Sequence, residues 1–182
     1  MKKITSVLII VLLLVFVICE FLPREVIEPI YYSKEISQKA KEYNIDPFII
    51  AAVARTESSW VSSASSSVGA RGLMQVMPDT GLFLAELRGL ELDIDELYEP
   101  LVSLDYGTYY LKMLYDEFGD WDLVYAAYNA GPGQVRAWLE DEDYSSNGRL
   151  TYIPFEETRN YVDKVNRHLE NFKKSYKKFP QD

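Results

Sequence analysis

The spacing of apolar residues restricts the fold of this chain more than any other feature. From residue 31 to residue 177 they recur at intervals of three and four, and almost no segment alternates apolar and polar residues. The first spacing places apolar side chains on one face of a helix, whereas a half-buried strand needs alternation. We therefore predict an all-α fold. The predicted helices cover residues 31–43, 47–59, 79–88, 103–118 and 121–129, a short segment ending at about 140, and residues 155–177.

This helical part is predicted to be one domain. The sequence has 182 residues, of which 48% are hydrophobic, and this amount of apolar material indicates one core rather than two. We assign the domain to residues 35–178. Residues 23–34, which include Pro23 and Pro29, are predicted to be a linker.

The first 22 residues differ from the rest of the chain. Lys2 and Lys3 precede an apolar run that extends from Ile4 to Ile18. Such a run is typical of a transmembrane anchor or a signal sequence, and we predict one of the two for residues 1–22. No pair of small residues follows the run, as cleavage of a signal would require, so the pattern favours an uncleaved anchor. The lysines would then stay on the cytoplasmic side and the domain would lie outside the membrane.

The residue counts exclude several kinds of chemistry. Cys19 is the only cysteine and His168 the only histidine, so an intrachain disulfide, a thiolate metal cage and a multi-histidine zinc site are excluded. We expect no metal and no cofactor. The net charge of −9 argues against nucleic acid as a partner. The chemistry is therefore expected from carboxylates and tyrosines, and His168, on a charged helix, is predicted to be solvated.

Glu57 interrupts the apolar face of the second predicted helix. Asp46 and Pro47 are a strong start signal for this helix, and Ile49, Val53 and Glu57 lie four residues apart on one face. Burial and the negative end of the helix dipole both favour the protonated form of a carboxyl group there. A protonated acid near neutral pH is what the cleavage of an acetal requires. The helix alone is equally compatible with a Glu57 that points to water.

Two further segments combine small and polar residues, at positions 69–78 and 126–133. Gln75 lies among apolar residues and needs a hydrogen-bond partner, while Asn129 near the end of a helix is compatible with a simple stop signal. Taken one at a time, both segments are more typical of packing than of a site.

Four motifs follow one another along the chain. They are Glu57-Ser58, Gly72-Leu73-Met74-Gln75, Tyr128-Asn129-Ala130-Gly131, and Ile153-Pro154-Phe155-Glu156-Glu157-Thr158-Arg159 with Tyr161. Together they resemble the catalytic domain of the soluble-lytic-transglycosylase family over about residues 35–172, and four ordered motifs are more specific than any one of them. The resemblance implies a goose-lysozyme-like helical domain.

The same resemblance implies a peptidoglycan lytic transglycosylase in the cell envelope, anchored to the membrane or secreted if residues 1–22 are cleaved. Glu57 would protonate the glycosidic oxygen between N-acetylmuramic acid and N-acetylglucosamine, and would then take the proton of the muramyl C6 hydroxyl. That hydroxyl attacks within the same sugar and leaves a 1,6-anhydro end, so a second carboxylate is unnecessary. Glycan strands of peptidoglycan are the implied partner, and no protein partner is indicated.

The resemblance also implies a set of substrate-binding residues. Tyr128 matches a tyrosine whose hydroxyl reaches the catalytic glutamate, and Glu157 matches a sugar-binding glutamate. Ser65 and Ser67 remain alternatives to the serine of the set. The full set is Ser66, Gln75, Met77, Tyr128, Asn129, Glu157 and Tyr161.

Two other functions remain open. A lysozyme-type muramidase of the same fold would admit water and would need a second carboxylate, for which Glu157 is the candidate. An inactive glycan-binding or structural envelope module is the other alternative, and the intact Glu57 argues against it.

Overall fold

The computed structural model describes residues 27–181, and these form one helical domain. The predicted anchor at residues 1–22 lies outside the described residues. Among residues 27–181, none of the helices combines the length and the apolar character needed to cross a bilayer. The helices are α1 (Ser33–Tyr43), α2 (Pro47–Ser58), α3 (Pro78–Leu87), α4 (Pro100–Phe118), α5 (Trp121–Ala130), α6 (Pro132–Glu140) and α7 (Glu156–Ser175), with a 3₁₀ helix at Ile94–Tyr98.

The helices begin where local chemistry favours it. Asp46 precedes Pro47 and accepts a hydrogen bond of 2.9 Å from the backbone N–H of Phe48, which caps α2. Asp120 caps α5 in the same way, accepting from the backbone of Asp122 and Leu123. The start signal predicted at Asp46 and Pro47 is confirmed, and α5 begins at the predicted residue 121. The predicted start of α4 is three residues too late, because Pro100 already occupies its first position.

A short β-hairpin interrupts the otherwise helical chain. Strands β1 (Ser145–Ser146) and β2 (Arg149–Leu150) pair antiparallel, with Ser145 opposite Leu150. The turn between them is Asn147-Gly148, and both residues have positive φ, 52° and 74°. This dipeptide is a frequent two-residue hairpin turn. The all-α prediction is therefore wrong for this segment, and correct for the main body of the domain.

Helix α2 runs through the core. Residues 50–54 are fully buried, and three of them are alanines, so neighbouring helices can approach its backbone closely. Its most extensive contacts are with α7. Because α7 follows about a hundred residues later, this packing brings the two ends of the sequence motif series together.

Glu28, which precedes α1 in the sequence, contacts residues of both α2 and α7. Its carboxylate accepts a hydrogen bond from Nε of Arg55 and lies 3.6 Å from Nδ1 of His168, while its backbone carbonyl accepts from the hydroxyl of Tyr176. The ring of His168 also stacks on Phe172. The side chain of His168 is only 15% exposed, so the prediction that this histidine is solvated is wrong. This burial lowers the pKa of His168.

Candidate active site

Glu57 lies in the last turn of α2, one residue before the helix ends at Ser58. Part of the residue remains accessible, but protein atoms surround its carboxyl group. Burial raises the pKa of Glu57 to about 7, although a hydrogen bond from Tyr161 and the charge of Lys164 act in the opposite direction. At neutral pH the carboxyl group is therefore divided between its protonated and ionised forms.

The hydroxyl of Tyr161 donates a hydrogen bond of 2.6 Å to Oε1 of Glu57. Tyr161 lies in the second turn of α7, and burial together with the nearby Glu57 raises the pKa of its hydroxyl well above the ordinary value. Tyr161 therefore stays protonated and acts as a fixed donor. One carboxyl oxygen of Glu57 is held in place by this bond.

Tyr128 has a different partner from the one implied by the resemblance. Its hydroxyl donates a hydrogen bond of 2.8 Å to the backbone carbonyl of Met74, and its ring packs against Tyr110 with 5.3 Å between the centroids. Burial, followed by the charge of Glu57, raises the pKa of Tyr128. Tyr128 thus lies near Glu57, but the expected hydrogen bond between the two is replaced by that of Tyr161. The hydroxyl of Tyr128 instead connects α5 to the segment that contains Gln75.

The segment from Ala64 to Val76 folds into a tight loop. Gln75 has a φ of 47° and donates from Nε2 to the carbonyls of Ala64 (3.0 Å) and Gly72 (2.8 Å). Both N–H groups of its amide are then in use, so its carbonyl oxygen is what it can offer to a ligand. Ser66 accepts a hydrogen bond of 2.9 Å from the backbone N–H of Ala70, which closes the loop.

Gly72 is the point of closest approach in this loop. It has a φ of +75°, and a Cβ atom there would lie 1.8 Å from the carbonyl oxygen of Leu97 in the 3₁₀ helix. The hydroxyl of Ser103 accepts from the backbone of Met74 and fixes the next part of the loop. The small residues of this motif therefore serve close backbone packing, as the segment taken alone suggested.

The remaining predicted residues are distributed over three elements. Met77 is 38% exposed at the start of α3. Asn129 is exposed, and its Oδ1 accepts a hydrogen bond of 2.8 Å from Thr158. Glu157 is exposed in the first turn of α7 and is not among the groups that shift the pKa of Glu57.

Two residues near the site were not predicted. Lys164 donates to the carbonyl of Thr56 at 3.3 Å and acts electrostatically on Glu57. Because it follows Tyr161 by three residues, the helical period alone would have placed it on the same face. Thr158, through its hydrogen bond to Asn129, connects α7 to the end of α5.

Among residues 27–181, no group of three or more metal-ligating side chains is arranged to hold a metal ion.

The helical domain with one buried carboxyl group at the end of a central helix is lysozyme-like in its fold. Residues 34–149 match the family model described as the Transglycosylase SLT domain, and the chain belongs to this family.

Three similar proteins carry related names. The soluble lytic murein transglycosylase of Salmonella typhimurium is 37% identical over 146 residues, which cover 75% of this chain and 22% of that protein. The structure of the 70-kDa soluble lytic transglycosylase of Escherichia coli has a TM-score of 0.74 at 31% identity, covering 84% of this chain and 26% of that one. An inactive glutamate-to-glutamine mutant of the lytic transglycosylase Slt from Pseudomonas aeruginosa has a TM-score of 0.71 at 35% identity, covering 80% and 24%. The chain thus spans about a quarter of the length of these relatives.

Proposed function

We propose that this protein is a peptidoglycan lytic transglycosylase that cuts the β-1,4 bond between N-acetylmuramic acid and N-acetylglucosamine and leaves a 1,6-anhydro end. The names of the relatives support the reaction class. The observation that carries the proposal is the state of Glu57, a carboxyl group enclosed by protein, with a pKa of about 7 and a hydrogen bond from a tyrosine to one oxygen. In one of the relatives, a glutamate-to-glutamine mutant is inactive.

In the proposed reaction, Glu57 first acts as an acid. Its Oε2, which Tyr161 leaves free, carries the proton and gives it to the glycosidic oxygen as the bond from that oxygen to the muramyl anomeric carbon breaks. Positive charge develops at this carbon, and the ionised Glu57 stabilises it. A pKa near the working pH makes the proton available at neutral pH, at which an ordinary glutamate would already be ionised.

Glu57 then acts as a base. The muramyl C6 hydroxyl attacks the anomeric carbon of its own ring, a bond forms between them, and the hydroxyl proton returns to Glu57. The carboxyl group is thus restored, and no water is consumed. The nucleophile belongs to the same sugar, so its effective concentration is high and correct positioning supplies much of the rate.

Tyr161 and Lys164 support both steps. The hydrogen bond from Tyr161 fixes the direction of the carboxyl group and favours its ionised form. Lys164 adds a positive charge that also favours the ionised form of Glu57.

The remaining substrate contacts that we propose are Ser66, Gln75, Met77, Tyr128, Asn129 and Glu157. For Ser66 and Tyr128 the observed contacts are structural, so their contribution to binding would be through the shape of the loop.

A muramidase that uses water is the alternative with the same fold. It needs a second carboxylate that activates the water on the far side of the sugar ring. The groups that shift the pKa of Glu57 are Tyr161 and Lys164, and neither is a carboxylate. This environment gives no support to a hydrolase in which Glu157 activates the water.

The proposed location is the cell envelope, with the domain outside the cytoplasm. Lys2, Lys3 and the apolar run that follows them support an anchor at residues 1–22, and the acidic net charge gives no support to nucleic acid as a partner. The intact mass of the protein extracted from membranes tests the anchor, because loss of the first residues would identify a cleaved signal instead.

The function is tested by the products formed from purified peptidoglycan. The full chain in detergent and its Glu57→Gln variant are incubated with the substrate, and the released muropeptides are identified by mass spectrometry. Anhydro-muramyl ends that depend on Glu57 are expected. Reducing ends, which are heavier by one water, would replace the proposal with the muramidase, and Glu157 would then be the residue to test. No release by either form would favour a binding or structural module.

A further inference from the structure

A cleft separate from Glu57 lies between the β-hairpin and the beginnings of α5 and α7. We call it the hairpin cleft; it is bordered by residues 118–120, 122, 123 and 148–153, and by Arg159, Val162 and Asp163. Its volume is about 720 Å³, within the range of roughly 300–1,000 Å³ that is usual for small-molecule and peptide-sized ligands. The cleft is therefore large enough to hold a small ligand.

The hairpin cleft lies on the face of α7 that points away from Glu57. Successive residues of a helix are rotated by about 100°, so Arg159 and Asp163 are each roughly 200° from Tyr161. Tyr161 is the residue of α7 that reaches Glu57, whereas Arg159 and Asp163 border the hairpin cleft. A molecule in this cleft would not compete with a glycan at Glu57.

The base of the hairpin cleft is apolar and its rim is charged. Val162 is buried and Leu123 partly buried, and both line the cleft. At the rim, the ring of Tyr152 is 50% exposed and lies under the guanidinium of Arg159, 4.6 Å from its centre. The Nη1 atom of Arg159 also donates to the carbonyls of Ile153 and Pro154, which fixes this wall.

Two charges of opposite sign remain available at the rim. Arg149 and Asp163 are both exposed and both border the cleft, and within residues 27–181 neither of them forms an ion pair. Other acids of the rim are engaged: Asp120 caps α5, and Asp122 accepts from Asn166 at 2.7 Å. A ligand with a carboxylate for Arg149 and an amine for Asp163 would satisfy both charges.

We propose that the hairpin cleft binds the peptide stems of peptidoglycan, that is, short peptides with a free amine and a free carboxylate. Assigning the peptide to peptidoglycan rests on the proposed function; the zwitterionic chemistry rests on Arg149 and Asp163. Since the cleft and Glu57 lie on opposite faces of α7, the stem and the bond being cut would occupy separate sites. The second contact would hold the enzyme on the wall between cuts.

The test uses a synthetic stem tetrapeptide with a free lysine amine and a free C-terminal carboxylate, titrated into the full chain in detergent by calorimetry. The variants are Arg149→Gln and Asp163→Asn. Glu170→Gln is the matched control, because Glu170 is exposed about two turns further along the same face of α7. Each cleft variant is expected to raise the Kd of the tetrapeptide by about three- to fivefold, which is the effect of losing one exposed charge pair. The control is expected to leave the Kd unchanged. In the unaltered protein, NMR signals of the Leu123 and Val162 amides should shift on titration.

Equal binding by both cleft variants and the control would overturn the proposal. Equal binding of a peptide with blocked amines and carboxylates would also overturn it. So would displacement of the tetrapeptide by peptide-free glycan, or variants that changed only the self-association of the protein. The tetrapeptide contains no glycosidic bond, so its binding does not depend on Glu57 chemistry. Failure of this proposal is therefore separable from failure to form anhydro products.

Discussion

Tyr161 and Glu57, which are 104 residues apart in sequence, are joined by a hydrogen bond of 2.6 Å between the tyrosine hydroxyl and Oε1 of the carboxyl group. This bond connects the second turn of α7 to the last turn of α2. It opposes the effect of burial on the pKa of Glu57, so the acid strength of the carboxyl group depends on how these two helices pack.

Replacing Tyr161 with phenylalanine tests this relationship. Without the hydrogen bond, the pKa of Glu57 should rise further, because burial then acts with less opposition. The pH at which activity declines on the alkaline side should move upward, and kcat should fall by about tenfold because the carboxyl group is no longer held in one direction. The pH dependence of anhydro-product formation measures both effects.

Tyr128→Phe is the matched control for that experiment. It also removes a buried hydroxyl, but one that is bonded to the carbonyl of Met74. The variant should lose about 1 kcal/mol of stability and keep the pH profile of the unaltered protein. If Tyr161→Phe and Tyr128→Phe had the same profile, the assignment of Tyr161 as the partner of Glu57 would be wrong.

Glu57→Gln should make the protein more stable at alkaline pH. The pKa of Glu57 is raised from 4.5 to about 7 in the folded protein, so the stability that the neutral carboxyl group provides is fully present below about pH 4.5 and is lost as the pH rises through about 7. Glutamine stays neutral and avoids this loss. Near pH 8.5 the variant should exceed the unaltered protein by on the order of 2–3 kcal/mol, and near pH 4 the two should be equal. Thermal melting at both pH values measures this, and a difference that is independent of pH would refute the raised pKa.

Gly72→Ala should destabilise the protein strongly. The new Cβ atom would lie 1.8 Å from the carbonyl oxygen of Leu97, and the φ of +75° is unfavourable for alanine. We expect a loss of more than about 3 kcal/mol in urea unfolding. Gly69→Ala is the control, since Gly69 also has a positive φ, +93°, but no atom lies within 4 Å of the new Cβ. It should cost about 1 kcal/mol, and equal losses would exclude the clash as the cause.

Asp105→Asn should cost about 2–3 kcal/mol, because Asp105 is the shared partner of two cations. Its carboxylate lies 2.5 Å from Nζ of Lys39 and 2.7 Å from Arg88, and it accepts from Tyr43 at 2.8 Å. Burial raises the pKa of Asp105, but these three hydrogen bonds outweigh burial and hold the pKa below 3.8. The stability contributed by the ionised carboxylate is therefore present above about pH 3.8 and lost as the pH falls through the lower folded value. Urea unfolding should show the difference between the two proteins shrinking as the pH falls below 3.8, and a difference that stays constant on acidification would contradict the lowered pKa.

The amino-acid sequence by itself determined the main helices and the helix face on which Glu57 lies. Asp46 and Pro47 fix the start of α2 through local hydrogen bonding and backbone geometry, and the four-residue spacing from Ile49 to Glu57 places Glu57 on the same face as the buried Ile49 and Val53. These are short-range effects, which a linear pattern records. The hairpin also has a local signal, the Asn147-Gly148 turn.

Only the tertiary structure decided which groups surround Glu57. The choice of Tyr161 rather than Tyr128 as its hydrogen-bond partner depends on the angle at which α7 packs against α2, and on the Met74 carbonyl that engages Tyr128. The raised pKa likewise comes from burial of the carboxyl group, which the packing of the whole domain produces. Periodicity tells which face of a helix is buried, but it does not tell which atoms of another helix meet that face, because this depends on the packing of all the helices at once.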